Sequence, residues 1–278
     1  MLKRRLLKQP RYLYRYSSLK EEERINHLMD TLKNNRLYCA SPSTFNDPFD
    51  VRPRSRMEFD TDKFKKFYFN YGITYAKNLF EVLPETEKEL RALIEQRYKE
   101  LLADPDRVHT HFRNIGIRCL SEQENNLLMW AHYTSGHNGY CLKFKSPTWS
   151  SNEVSLAYKV EYKRTYPKID IEAWYAELPK PMHKRNLNTI FEANRSIAMI
   201  KSPHWKYEKE WRLLRPEPGY VNFNRDSLEY IALGTNVKNS VVEKVIKTIK
   251  EEGLSIKVLR AELDRRAFRL NYIPKTKD

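Results

Sequence analysis

Four short clusters of polar and aromatic side chains carry the residue types that chemistry needs. Tyr14, Arg15, Tyr16 and Ser17 form the first, and Asn46, Asp47 and Asp50 within Phe45–Asp50 the second. Trp130, His132 and Tyr133, leading on to His137, form the third; Lys201, Trp205, Tyr207, Glu208, Glu210 and Arg212 form the fourth. On a strand, Glu208, Glu210 and Arg212 share one face while Trp211 and Leu213 point to a core. Two carboxylates so placed push one pKa up and leave one proton acceptor ionised. The same three residues also suit an exposed cross-strand charge ladder. His132 could act as a general base near Glu210, or simply pack and hydrogen-bond. His132 and His137 stand five apart, and His109 and His111 alternate along a strand. No Cys or carboxylate accompanies either pair at ligand spacing, so no metal is expected. A metal-dependent nuclease would need an acidic cluster plus Lys, and Asp47, Asp50 and Lys201 are poorly spaced for it. The Phe45–Asp50 segment reads more readily as a turn in which Asn46 and Asp47 brace a strand end.

The elements that position these clusters follow from periodicity. Tyr12, Tyr14 and Tyr16 alternate with Leu13 and Arg15, which is a strand. A polar helix over about 20–34 places Leu28 and Leu32 on one face, and a short strand follows near Cys39. Phe64, Phe67, Tyr68, Tyr71 and Tyr75 recur at helical spacing, as do Leu90, Leu93, Ile94 and Leu101 beyond a start at Pro84–Glu85. These make a helical hairpin inserted over 58–113. Strands are expected at 117–121, 139–144 and 154–162, with a short helix over Glu124–Tyr133 between the first two. A helix over 183–201 leads to a strand that carries Glu208 to Leu213. A strand–helix–strand run closes the sequence. The expectation is one α+β domain over 1–278 with a mixed, mostly antiparallel split sheet around a central cleft. Helices and strands segregate rather than alternate, which argues against a doubly wound sheet.

Composition narrows the classes. With 278 residues, 40% hydrophobic and 13% aromatic, the chain can bury a core without staples. Only 7 Gly are present, and neither a dinucleotide-binding glycine fingerprint nor a P-loop occurs. Cys39, Cys119 and Cys141 are scattered and read as buried free thiols, not as a disulfide framework or zinc ribbon. No apolar run suits a signal peptide or a membrane span, so a reduced cytoplasmic setting without membrane contact is expected. The net charge is +15 and uneven, with Lys3, Arg4, Arg5, Lys8, Arg11, Arg15 and Lys20 unopposed by acid near one end. Such a field attracts phosphate-rich partners, nucleic acid among them.

Five motifs occur in order: YRY at 14–16, FNDPFD at 45–50, CLS at 119–121, WAHYTSGHNGYCLKF at 130–144 and WKYEKEWR at 205–212. In this the chain resembles the bacterial family catalogued as domain of unknown function 2971, over about 11–262. A weaker resemblance is to ADP-ribosyltransferase-type folds, whose opening strand carries an Arg or His and whose closing strand carries a catalytic Glu. That resemblance implies NAD as substrate and no metal. Arg15 would neutralise its pyrophosphate as a bidentate guanidinium. Glu210, with Glu208, would hold the nicotinamide ribose and stabilise oxocarbenium character at C1′. Ser41 or Ser121 would orient nicotinamide or ribose, and Trp130, Tyr14 or Tyr133 would line or stack on the ring.

Two readings of function follow. One is an NAD-dependent ADP-ribosyltransferase-like enzyme, a toxin or defence effector acting on nucleic acid or protein. The other is a non-catalytic nucleotide- or nucleic-acid-binding module, which needs no catalytic carboxylate. Convergence of Arg15, Ser41 and Glu210 in one cleft separates the first from the second.

Overall fold

The fold is taken from a computed structural model, which describes residues 10–51, 62–74, 76–79, 84–103, 115–145, 157–166, 195 and 197–275. In chain order the first elements are β1 (Tyr12–Ser18), α1 (Glu22–Asn34), β2 (Arg36–Cys39), α2 (Asp62–Thr74), α3 (Ala76–Leu79) and α4 (Glu87–Ala103). Next come β3 (Gly116–Ser121), α5 (Leu127–Tyr133), β4 (Gly139–Lys145), β5 (Tyr158–Lys159), β6 (Glu161–Tyr162) and β7 (Ile200–Lys201). The last are β8 (Glu210–Arg215), β9 (Gly219–Asn222), β10 (Leu228–Leu233), α6 (Asn239–Glu251), β11 (Lys257–Leu263) and β12 (Leu270–Pro274). Most of the helix expected over 183–201 lies outside the described residues, as do His109 and His111.

The chain groups into two compact units: one of 1–41, 115–160 and 203–278, the other of 42–114 and 161–202. The sequence suggested one domain with an insertion over 58–113. Within the second unit β6 pairs in parallel with β7, and Lys201 reaches Asp50.

The first unit is an α+β layer built on an eight-stranded sheet of order β12-β11-β10-β4-β1-β3-β8-β5. Only β10 and β11 are parallel, and α6 makes the crossover between them that a parallel pair needs. A separate two-stranded ribbon pairs β2 with β9. β1 lies against β4 over seven aligned residues, but against β3 through the single pair Tyr14–Ser121. The strands thus form one continuous sheet with a narrow seam where β1 meets β3, and not the split sheet around a central cleft that the sequence suggested.

Strand alternation divides the core into two clusters. On one face Leu13, Leu120, Leu142, Phe144, Trp211 and Leu213 pack with α1 and α6. Both helices have an apolar stripe: Leu28, Met29 and Leu32 on α1, and Val242, Val245 and Ile249 on α6. Asn35 ends α1 in the left-handed conformation at φ 49°, which Asn tolerates better than most residues. On the other face Tyr14, Tyr16, Cys141 and Tyr230 pack with Met129 and Trp130 of α5. β4 is central and touches both clusters, so its residues 139–142 are all buried. Gly139 is required there, since a Cβ would sit 2.2 Å from the Ser17 carbonyl oxygen. The thiols of Cys39 and Cys141 are buried and all three cysteines are free.

In the second unit α2 packs antiparallel on α4, as the helical hairpin predicts. The Phe64 and Tyr98 ring centroids are 6.5 Å apart, and Gly72 admits Ile94 where a Cβ would come within 2.8 Å. A capping box opens α4: Glu89 N–H donates to Thr86 Oγ1, and Thr86 N–H to the Glu89 carboxylate. No described helix is long and apolar enough to cross a membrane.

Candidate functional site

Strand register places the predicted site residues on two opposite faces. Tyr14 aligns with Ser121 across the seam, and Ser121 with Glu210 on the next strand. These three therefore stand side by side on the face covered by α5. Cys119 and Arg212 align one step further along the same face. Arg15, one residue from Tyr14, points to the other face. Arg15 and Glu210 do not converge.

Glu208 is not on the strand. Pro203–Glu208 form a 3₁₀ turn, and Lys209 at φ 42° separates it from β8. The shared strand face expected for Glu208 and Glu210 is corrected accordingly: Pro203 opens a helical turn, and the left-handed residue redirects the chain before the ladder begins. Glu208 is nonetheless buried beside the row. Its backbone carbonyl accepts the Ser121 hydroxyl at 2.5 Å, and its carboxylate accepts the Tyr133 hydroxyl. Nor is the charge ladder exposed. Arg212 is 0% and Glu210 3% accessible, and they form a bidentate pair, Nε to Oε1 at 2.7 Å and Nη2 to Oε2 at 3.1 Å.

Asn126 caps α5, accepting from the Leu128 and Met129 N–H groups, and also donates to the Tyr207 carbonyl at 3.2 Å. Trp130, expected as a stacking platform, is 0% exposed. Its indole N–H donates to the Tyr272 hydroxyl at 3.1 Å, Tyr16 meets it edge-on at 5.6 Å, and His137 stacks on it at 6.0 Å. Burial lowers the pKa of His137, whose Nδ1 is enclosed without a hydrogen-bond partner. His132 is exposed and rests against the rings of Trp205 and Tyr207. Burial, then the charge of Glu124, pushes the Tyr14 phenol well above its ordinary range. Glu124 also accepts the Tyr230 hydroxyl at 2.8 Å, so it is a polar hub that sequence reasoning missed.

The opposite face holds a cluster that the sequence reading saw only in part. β3 and β8 alternate so that Arg118 and Arg215 share the face of Arg15. Arg15 Nη1 donates to the Cys119 carbonyl at 3.4 Å, filling the gap beside the seam. Arg118 makes no hydrogen bond or ion pair among the described residues, and its Nε is inaccessible to solvent. Burial, then the charge of Arg15, pulls the Arg118 guanidinium down to about 10. All three guanidiniums act on Cys39, yet burial outweighs them and holds its thiol at about 11. Ser41 follows Ala40, which bridges to Ile117 of β3.

In the second unit the Phe45–Asp50 segment is a braced turn. Asp47 Oδ1 accepts the Phe49 N–H at 2.8 Å, and the Asp47 carbonyl accepts the Asp50 N–H at 3.1 Å. Asn46 is exposed, while Asp50 and Lys201 form a buried ion pair at 3.5 Å. Among the described residues no group of three or more His, Cys, Asp or Glu could hold a metal ion.

Residues 129–213 match the family described as protein of unknown function DUF2971. The resemblance read from the motifs holds over that stretch, which runs from α5 to β8 and contains the Tyr133–Glu208 and Glu210–Arg212 contacts. No curated protein and no solved structure matches the chain. Arg15 and Arg118 precede the DUF2971 stretch, and Arg215 lies two residues beyond it. A signal for Arg118 was present in the sequence: a charge inside the apolar run Ile117–Leu120 must be paired, solvated or used.

Proposed function

We propose that this protein binds a phosphate-bearing ligand of the nucleotide class through the Arg15–Arg118 face of its large sheet. The observation that carries this reading is Arg118 itself. A guanidinium beside a second guanidinium, with no partner among the described residues, opposes folding until an anion arrives. Phosphate oxygens match the planar fork bidentately, and Arg215 adds positive charge on the same face. The net charge of +15 favours such a ligand's approach.

Calorimetric titration of the full chain with ADP, and separately with inorganic phosphate, tests it. Arg118→Met should weaken ADP binding at least about tenfold, the equivalent of one lost charged contact. The same variant should melt at or above the wild-type temperature without ligand, because an unpaired charge is gone. Binding of phosphate alone as tightly as ADP would narrow the ligand to a simple oxyanion. Equal ADP binding by wild type and variant would refute the site.

A second reading is an NAD-dependent ADP-ribosyltransferase-like activity, which the separation of Arg15 from Glu210 counts against and one observation supports. Tyr14, Ser121 and Glu210 form a row across the narrow seam, with the Glu208 carboxylate close in sequence. In that reading Glu210 leaves Arg212 and stabilises positive charge at C1′ as nicotinamide departs. Nicotinamide release from NAD, measured by mass spectrometry, should occur with wild type and vanish in Glu210→Gln. No release from the folded wild-type chain would remove this reading and leave the first intact.

A further inference from the structure

The antiparallel hairpin of β11 and β12 occupies the edge of the large sheet, and its closing pair is Leu263–Leu270. Beyond that pair the chain reads Asp264, Arg265, Arg266, Ala267, Phe268, Arg269. Phe268 is 101% exposed and Leu263 71% exposed. Leu263 and Phe268 together put apolar surface at the hairpin tip in water, where the Phe268 ring adds no packing to the fold.

The tip is nonetheless held in one shape. Asp264 Oδ1 accepts the N–H groups of Arg266 at 2.8 Å and Ala267 at 3.0 Å. Its Oδ2 accepts Arg269 Nε at 2.9 Å and Asn271 Nδ2 at 3.0 Å. These four bonds hold the Asp264 carboxyl well below the ordinary carboxylate range. They also neutralise Arg269 and leave Arg265 and Arg266 without an ion pair among the described residues. Beside the tip is a cavity of about 510 Å³ whose lining includes Arg260, Arg265 and Lys275, with Thr235, Asn239 and the Glu262 carboxylate, which pairs with Lys275 at 3.9 Å. Arg260 Nη2 donates to the Thr235 and Val237 carbonyls at 2.8 Å, while its Nη1 has no hydrogen-bond partner among the described residues.

We propose that the β11–β12 tip and the adjoining basic cavity bind single-stranded nucleic acid, with a base stacked on Phe268 and phosphates held by Arg265 and Arg266. A single exposed ring flanked by free guanidiniums suits an unpaired base and its two neighbouring phosphates. A duplex hides its base faces and offers the ring nothing to stack on. The preformed tip lowers the ordering cost on binding. The tip lies at the β11–β12 edge of the sheet, with β10 and β4 between it and β1, and its test does not depend on Arg118.

Fluorescence anisotropy with labelled oligo-uridylate and with a labelled duplex, using the full chain, decides the matter. Phe268→Ala should weaken single-strand binding about tenfold while leaving the melting temperature unchanged, since the ring has no packing to lose. Arg265→Gln with Arg266→Gln should flatten the salt dependence by a slope of about 1.4, two phosphates on a single strand. Duplex bound as tightly as single strand, or Phe268→Ala binding like wild type, would overturn the proposal. So would Phe268-dependent capture by phosphatidylserine vesicles with no oligonucleotide binding, which would make the tip a lipid contact.

Discussion

Arg212→Met lowers stability by about 3–5 kcal/mol, read as a fall in the urea unfolding midpoint, because it removes the bidentate partner of the buried Glu210 carboxylate. Residues two apart on a strand project from the same face, so Glu210 and Arg212 meet without distortion of β8. Neither is more than 3% accessible, and the two bonds at 2.7 and 3.1 Å use both carboxylate oxygens. Water cannot replace a lost partner at that depth. The double variant Glu210→Leu with Arg212→Met should recover much of the loss, since removing both charges removes the desolvation cost as well. A single variant as stable as wild type would mean that the pair is screened by solvent. The result also bears on chemistry. A carboxylate clamped in this way is a structural group first, and any role in NAD cleavage requires Arg212 to release it.

Trp130→Ala should cost about 3–5 kcal/mol, the range for truncating a large buried aromatic. The side chain is 0% exposed and joins three elements at once: its own helix α5, Tyr16 of β1 and Tyr272 of β12. His137 covers a ring face, and the Thr134 hydroxyl donates to the Trp130 carbonyl, fastening the end of α5. Trp130→Phe keeps most of the apolar area but loses the bond to Tyr272, at a cost nearer about 1 kcal/mol. Were Trp130 a ligand platform, its truncation would spare stability and remove only binding. Urea denaturation alongside the ADP titration distinguishes the two.

Much of the local structure was legible in the residues. The Tyr12, Tyr14, Tyr16 alternation marked β1, and the spacing of Leu28 and Leu32 marked α1. The helix from Leu127 and the hairpin of α2 and α4 followed from their apolar periods in the same way. Two of the five motifs, at 130–144 and 205–212, fall within the stretch that matches the DUF2971 family. Local signals failed where one backbone conformation decided the outcome. Glu208 belongs to a strand by alternation, yet a 3₁₀ turn and Lys209 at φ 42° remove it. The exposed and buried readings of Glu210 and Arg212 share one sequence pattern, and only the depth of β8 separates them.

The sequence by itself determined the element types, the motif order and the excess of positive charge, because each is set by neighbours along the chain. Only the tertiary structure decided that Arg15 stands with Arg118 and not with Glu210. Parity within a strand sets which side chains share a face of that strand. Register between strands is a long-range property, settled by which faces find a core, and a slip of one residue would reverse every partner. Here the single Tyr14–Ser121 pair sets that register across the seam, and with it which charges meet.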